Sequence, residues 1–283
     1  WSQEEIDSLP QRVLDGEFTM ADLVATAQQA VDEGVVEEGH GFYHRQSNGP
    51  DWLIWYYGEG GQVLDDEGKL VFDTAAAQSA LELIASFSDS GITRPDMIGI
   101  DGNILHADVA TAESVLFYQG GTWNWANWAR NFVADRGGND YLLENMSLML
   151  FPALNDEVGP ITLTHPLSYM ISSSSEHPDV AMALIAAVTT PEANNRHAID
   201  SFHLGILNTQ LESDDYVGNP AISQAHYMLD HTTAIPNDPG WTAWSNAWWT
   251  AVQAAAADTA PDAAVQLAVD QLTSELGDQI TIR

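Results

Sequence analysis

Apolar positions recur at helical spacing through residues 19–33, where Met20, Leu23, Val24, Ala27 and Val31 share a face. Thr19 stands as N-cap with Asp22 three residues on, and Gly34 follows as a stop. Residues 74–91 repeat the pattern, with Asp73 or Thr74 as cap and Gly91 as stop. Residues 41–51 are polar and loop-like, and the aromatic run 52–61 reads as a helix. Residues 62–73 read as a small hairpin, two apolar runs flanking Asp65-Asp66-Glu67-Gly68.

Residues 105–118 read as helix then strand, delivering the chain to Gly120-Gly121, and 122–133 as another helix. Short strands are expected at 146–154 and within 161–173. Residues 177–199 carry two helical pieces joined at Thr190-Pro191, where proline fits the first helical turn. A helix at about 242–257 and a last one from Ala260-Pro261-Asp262 to near Leu276-Gly277 end the chain. Helices alternating with short strands place it in the α/β class, with no internal repeat.

Composition narrows the function. The 283 residues carry 8 Lys and Arg against 41 Asp and Glu, a net charge of −33. That field repels a phosphate backbone and excludes nucleic acid as a partner. Lys69 is the one lysine, and so acidic a surface suits concentrated salt, where carboxylates stay hydrated and screened. Hydrophobic residues make up 45%, a globular proportion, and no apolar run approaches the ~18 residues of a membrane helix. Cysteine is absent, so disulfides, thiolate metal sites and cysteine nucleophiles are ruled out. The first residues, Trp1 to Glu5, carry no basic and apolar leader, so the chain reads as starting after processing.

Nine of the ten tryptophans stand in three clusters where loops hand over to helices: Trp52 and Trp55; Trp123, Trp125 and Trp128; Trp241, Trp244, Trp248 and Trp249. A flat indole suits the axial C–H face of a pyranose, whereas a structural role would bury it in the core. Trp244 and Trp248 lie four apart and share one helix face. His44, His165 and His203 are candidate partners for ligand hydroxyls, but the histidines share no metal-ligand spacing. No nucleophile elbow, Walker loop or GxGxxG pattern occurs, and no cofactor motif either. With so many carboxylates, an Asp/Glu pair at glycosidase separation would arise by chance and carries no weight.

The segment order resembles the sugar-binding family of ABC-importer solute-binding proteins, which includes maltose- and trehalose-binding proteins. The resemblance runs through FTMADLVATAQQA, YYGEGGQVLDDEGKLVFDTAAAQSALELIASFSDSG and VLFYQGGTWNWANW. It continues through LMLFPAL, HPLSYMISSSSEHPDVAMALIAAVTTPEANNRHA and IPNDPGWTAWSNAWW, then APDAAVQLAVDQL. It implies a two-lobed fold of the type II periplasmic-binding-protein kind, closing around a ligand in the interlobe cleft. The Gly-Gly-x-Trp turn would set Trp123 and Trp125 against the sugar, with Trp241, Trp244 and Trp248 adding stacking. Asn48, Asp51, Trp52, His44 and Arg45 would supply contacts from the loop before the aromatic helix, and Thr164, His165 and Pro166 the cleft floor. Arg45 and Arg130 are the cations of these segments, thin provision for phosphate capture.

Family members begin with about one small domain ahead of the helix at 19–33. By that comparison residues 1–18 are a lead-in, 19–155 the first part of the second lobe, 156–210 a return segment of a partial first lobe, and 211–283 the closing helices of the second. Such a chain would expose apolar surface and pair with a second copy. The implied partners are a di- or oligosaccharide and the transmembrane subunits of an ABC permease, with the protein held outside the cell membrane by a tether this chain does not contain. A glycoside hydrolase and a sugar sensor or adhesion module are the alternatives.

Overall fold

The computed structural model describes residues 1–164 and 166–283, so the candidate His165 lies outside the described residues. Thirteen α-helices are described: α1 (Gln3–Leu14), α2 (Met20–Asp32), α3 (Leu53–Gly58), α4 (Thr74–Asp89), α5 (Gly102–Ala110), α6 (Asn124–Asn131), α7 (Asn139–Asn145), α8 (Pro178–Val188), α9 (Pro191–Ser201), α10 (Asp214–Val217), α11 (Pro220–Ala225), α12 (Trp241–Ala256) and α13 (Pro261–Leu276). Six short strands, β1 (Phe42–Tyr43), β2 (Leu70–Phe72), β3 (Phe117–Tyr118), β4 (Thr162–Thr164), β5 (Thr232–Ala234) and β6 (Ile280–Ile282), pair in parallel as β1–β3, β2–β6 and β4–β5.

The helices follow the chain's own signals. Thr19 and Asp22 form a reciprocal capping box at α2, and the bonds Asp22 accepts from Thr19 hold its carboxyl below the usual range. Gly91 takes the left-handed φ of +75° that closes the loop after α4. Within residues 1–18, helix α1 is announced by a Ser2–Glu5 capping box.

The strands depart further from expectation. At 62–73 the hairpin is one antiparallel bridge, Leu64 to Leu70, with Val71 N–H donating to Val63 C=O at 2.9 Å. Leu70–Phe72 takes its main pairing from β6 at the far end of the chain, and Arg283 beyond it bonds Asp73 and Gln62. The strand expected at 146–154 is a single bridge, Phe151 to Ile161, and the loop at 41–51 contains β1.

Two hydrophobic cores result. The first gathers Trp52, Trp55, Tyr56, Trp244 and Trp248 with the apolar faces of α2, α4, α12 and α13. The second holds Tyr43, Trp125, Trp128, Phe202 and Tyr216 among α5, α6, α9 and α11. Outside both, α8 buries none of its residues, with Val180, Met182 and Leu184 each more than half exposed beside the exposed Leu167, Tyr169 and Met170.

Trp244 is fully buried and its indole N–H donates to Val71 C=O at 2.8 Å. Trp244→Ala is therefore expected to cost about 3–5 kcal/mol in urea unfolding. Trp241→Ala, at the half-exposed start of α12, should cost about 1 kcal/mol or less.

Candidate functional site

A cleft of about 250 Å³ opens between the cores, taking Ile54 and Met228 from the first and Ala198 from the second. One wall is the turn after β3. A side chain at Gly121 would fall 2.2 Å from the Trp123 ring, so glycine is what lets the indole fold back against the turn. The aromatic stack continues from that wall: Trp123 stacks on His203 (6.0 Å, 18°), and His203 on His197 (5.2 Å, 9°). The chain reaches His203 through Phe202, whose left-handed φ of +60° is unusual for a bulky residue. Burial of Phe202 and its stacking on Trp125 (5.4 Å, 13°) hold that turn.

The polar side of the cleft is built by relay. Pro50 opens a short 3₁₀ turn, Pro50–Trp52, that brings Asp51 to the cleft. Arg45 donates to the Asp51 carboxylate at 2.7 Å and to the carbonyls of Ser47 and Asn48, closing the loop. Behind it, Gln119 accepts from the Trp55 indole N–H at 2.9 Å and donates to Asp51 C=O at 2.9 Å. Gln119 is buried, lines the cleft and ties it to the first core. Sequence reading missed it, because a lone glutamine belongs to no motif.

Of the residues expected at a ligand, Trp123 and Asp51 line the cleft, as do His203, Thr164 and Pro166. The other aromatic candidates take core positions instead. Trp125 is buried against Phe202, Trp52 donates its N–H to Ser47 C=O, and Trp248 donates to Trp52 C=O at 3.0 Å. Trp244 is buried beneath Trp241, which stacks on it (5.7 Å, 16°) away from the cleft-lining residues. Pairing its one polar atom with a backbone carbonyl lets each of the Trp52, Trp244 and Trp248 rings be buried whole, whereas the Trp125 N–H is buried without a partner among the described residues.

Asn48 is exposed and donates to the Asn246 side chain at 3.1 Å, bridging the loop to α12. Arg45 is spent on its own loop, and Arg130 donates to the Asp200 carbonyl away from the lining. No lysine or arginine lines the cleft among the described residues, and Asp51 is their one carboxylate. His44 is buried against Trp52, its Nδ1 on the Arg45 carbonyl at 2.9 Å, and burial pushes it down to about 4.

Comparison with known proteins agrees with this architecture. The profile described as bacterial extracellular solute-binding protein matches residues 13–224. Among solved structures, the GacH receptor of Streptomyces glaucescens, studied unliganded and with acarbose, is 16% identical with a TM-score of 0.74, over 95% of this chain and 68% of that one. The maltodextrin-binding domain MalE of Bdellovibrio bacteriovorus bound to maltotriose is 17% identical with a TM-score of 0.72, over 92% and 67%. Maltose-bound MalE3 of T. maritima is 16% identical with a TM-score of 0.68, over 91% of this chain but 65% of its own length. The chain thus has the two-lobed solute-binding fold over roughly two-thirds of these structures' length. No curated protein sequence matches it.

Burial of neutral His44 couples stability to pH. A free histidine titrates near 6.5, so between that value and about 4 the unfolded chain binds a proton the native chain refuses. His44 stability is fully present above pH 6.5 and drains away toward pH 4, by roughly 3 kcal/mol. His44→Gln keeps an N–H for the Arg45 carbonyl and does not titrate. Urea unfolding at pH 7 and pH 4.5 should show wild type losing more stability than the variant.

Proposed function

The chain belongs to the bacterial extracellular solute-binding proteins, and on that premise we propose that it captures a neutral sugar, of two or more rings, for an ABC importer. Trp123 carries the reading: it is the indole that lines the cleft, set by Gly121 and backed by His203. A pyranose laid on it would find acceptors and donors around it in Asp51, Gln119 and Thr164. The described lining lacks a cation, which favours neutral ligands over phosphorylated polyols.

A multi-ring ligand draws support from the maltose and maltotriose of the structural neighbours, not from the number of tryptophans. Hydrolysis would need two carboxyl groups about 5–10 Å apart, and the described lining offers one. The partners in this reading are the transmembrane subunits of a sugar permease, reached from outside the membrane. No described helix is long and apolar enough to cross a membrane. The net charge of −33 with one lysine supports life in concentrated salt.

Calorimetric titration with maltose, maltotriose, tagatose and glucose 6-phosphate tests the ligand reading. We expect saturable binding of a neutral sugar without product, and at least tenfold weaker binding in Trp123→Ala, about 1.4 kcal/mol. Binding of the phosphate ester alone, or none at all, overturns it. The salt reading expects the melting temperature to climb as KCl rises from about 0.1 to 2 M, through screening of like charges. A flat or falling profile would remove it.

A further inference from the structure

Gln210 is 2% exposed, yet it lines the cleft. It sits in the 3₁₀ helix Asn208–Glu212, and its Oε1 accepts from the Leu207 N–H at 3.0 Å while its backbone N–H donates to Leu207 C=O at 2.9 Å. That exchange settles which end of the carboxamide is which, since an amide turned the other way would set two donors face to face. Its Nε2 is then left buried with no hydrogen-bond partner among the described residues.

The surroundings keep the amide where it is. A side chain at Gly205 would lie 2.6 Å from Gln210 Cδ and 2.7 Å from both amide heteroatoms, so the carboxamide rests on bare backbone. Gly205 is itself fixed, its N–H donating to the Tyr216 hydroxyl at 2.8 Å, with the hydroxyl 2.9 Å from His226 Nδ1. Both Gly205 and Gln210 line the cleft. A buried donor without an acceptor weakens a fold, and one held rigidly at a ligand cleft is the usual exception.

We propose that Gln210 is a ligand-binding residue of this cleft, its carboxamide N–H donating to an oxygen of the bound sugar. The inference rests on the sugar reading above and adds a fixed donor to a cleft whose charged group, Asp51, accepts when ionised. Together the two groups select for a ligand oxygen placed to accept and a hydroxyl placed to donate. A sugar lacking the matching oxygen leaves the amide unpaired and is rejected.

The test uses the sugar that wild type binds among maltose, maltotriose and tagatose. Gln210→Met removes the donor at similar size, and affinity should fall at least tenfold while the ligand-free chain still melts cooperatively. Gln210→Glu keeps an acceptor for Leu207, and its carboxyl donates only when protonated. Relative to wild type at the same pH, it should bind poorly at pH 8 and recover at pH 5. Wild-type affinity in Gln210→Met, with wild type binding normally, overturns this inference and leaves the sugar reading standing. If Gln210→Met does not fold, absence of recovery in Gln210→Glu at pH 5 overturns it. A folded wild type that binds none of the sugars removes the sugar reading and this inference together.

Discussion

A buried indole carries one hydrogen-bond donor, and the way this chain satisfies those donors arranges much of the rest. Trp244 gives its N–H to Val71 C=O, Trp248 to Trp52 C=O, Trp52 to Ser47 C=O and Trp55 to the Gln119 side chain. None of these partners lies in the same helix as its donor, so each bond ties one segment to another. Trp244 and Trp248, one turn apart on α12, anchor that helix to β2 and to the start of α3. Burying such large rings supplies the hydrophobic drive, and the directed N–H decides against which segment each ring packs.

The cleft inherits its shape from this scaffold. The chain of bonds from Trp55 through Gln119 to the Asp51 carbonyl carries the position of the core out to the one carboxylate of the described lining. Arg45 holds that carboxylate from the loop side, so a protein with a net charge of −33 presents a compensated acid at its candidate site. Trp123 is seated by close approach to Gly121, with the His203 ring stacked on it. The left-handed backbone at Phe202 sets that histidine in place. Polar groups fixed by packing need little reorganisation when a ligand arrives, which is how a modest cleft can bind selectively.

The long helices were legible from the chain because their signals are local. The Thr19–Asp22 box, the Asp73–Thr74 start, Pro191 and Pro261 at first helical positions and the 3.6-residue apolar spacing all act within a turn or two. The two- and three-residue strands were not, because so short a run shows no period. The partner that makes Leu70–Phe72 a strand lies some 210 residues away, at Ile280–Ile282. At the candidate site Trp123 and Asp51 were legible through the Gly-Gly turn and the Pro50 loop. Gln119 and Gln210 were not, because a glutamine's role comes from what surrounds it.

By itself the sequence determined the α/β class, the starts of the long helices, the acidic surface and the family, because propensity, capping, charge and motif order are properties of neighbouring residues. It also placed the aromatic residues in three clusters, but an indole offers the same chemistry to a sugar and to a core. Only the tertiary structure separated the two roles, by whether enough apolar surface came from elsewhere in the chain to cover the ring, with a backbone carbonyl for the N–H of Trp52, Trp244 and Trp248. Trp52, Trp244 and Trp248 found both and became scaffold. Trp123, folded against a glycine at the edge of the cleft, kept contact with the space where a ligand would lie.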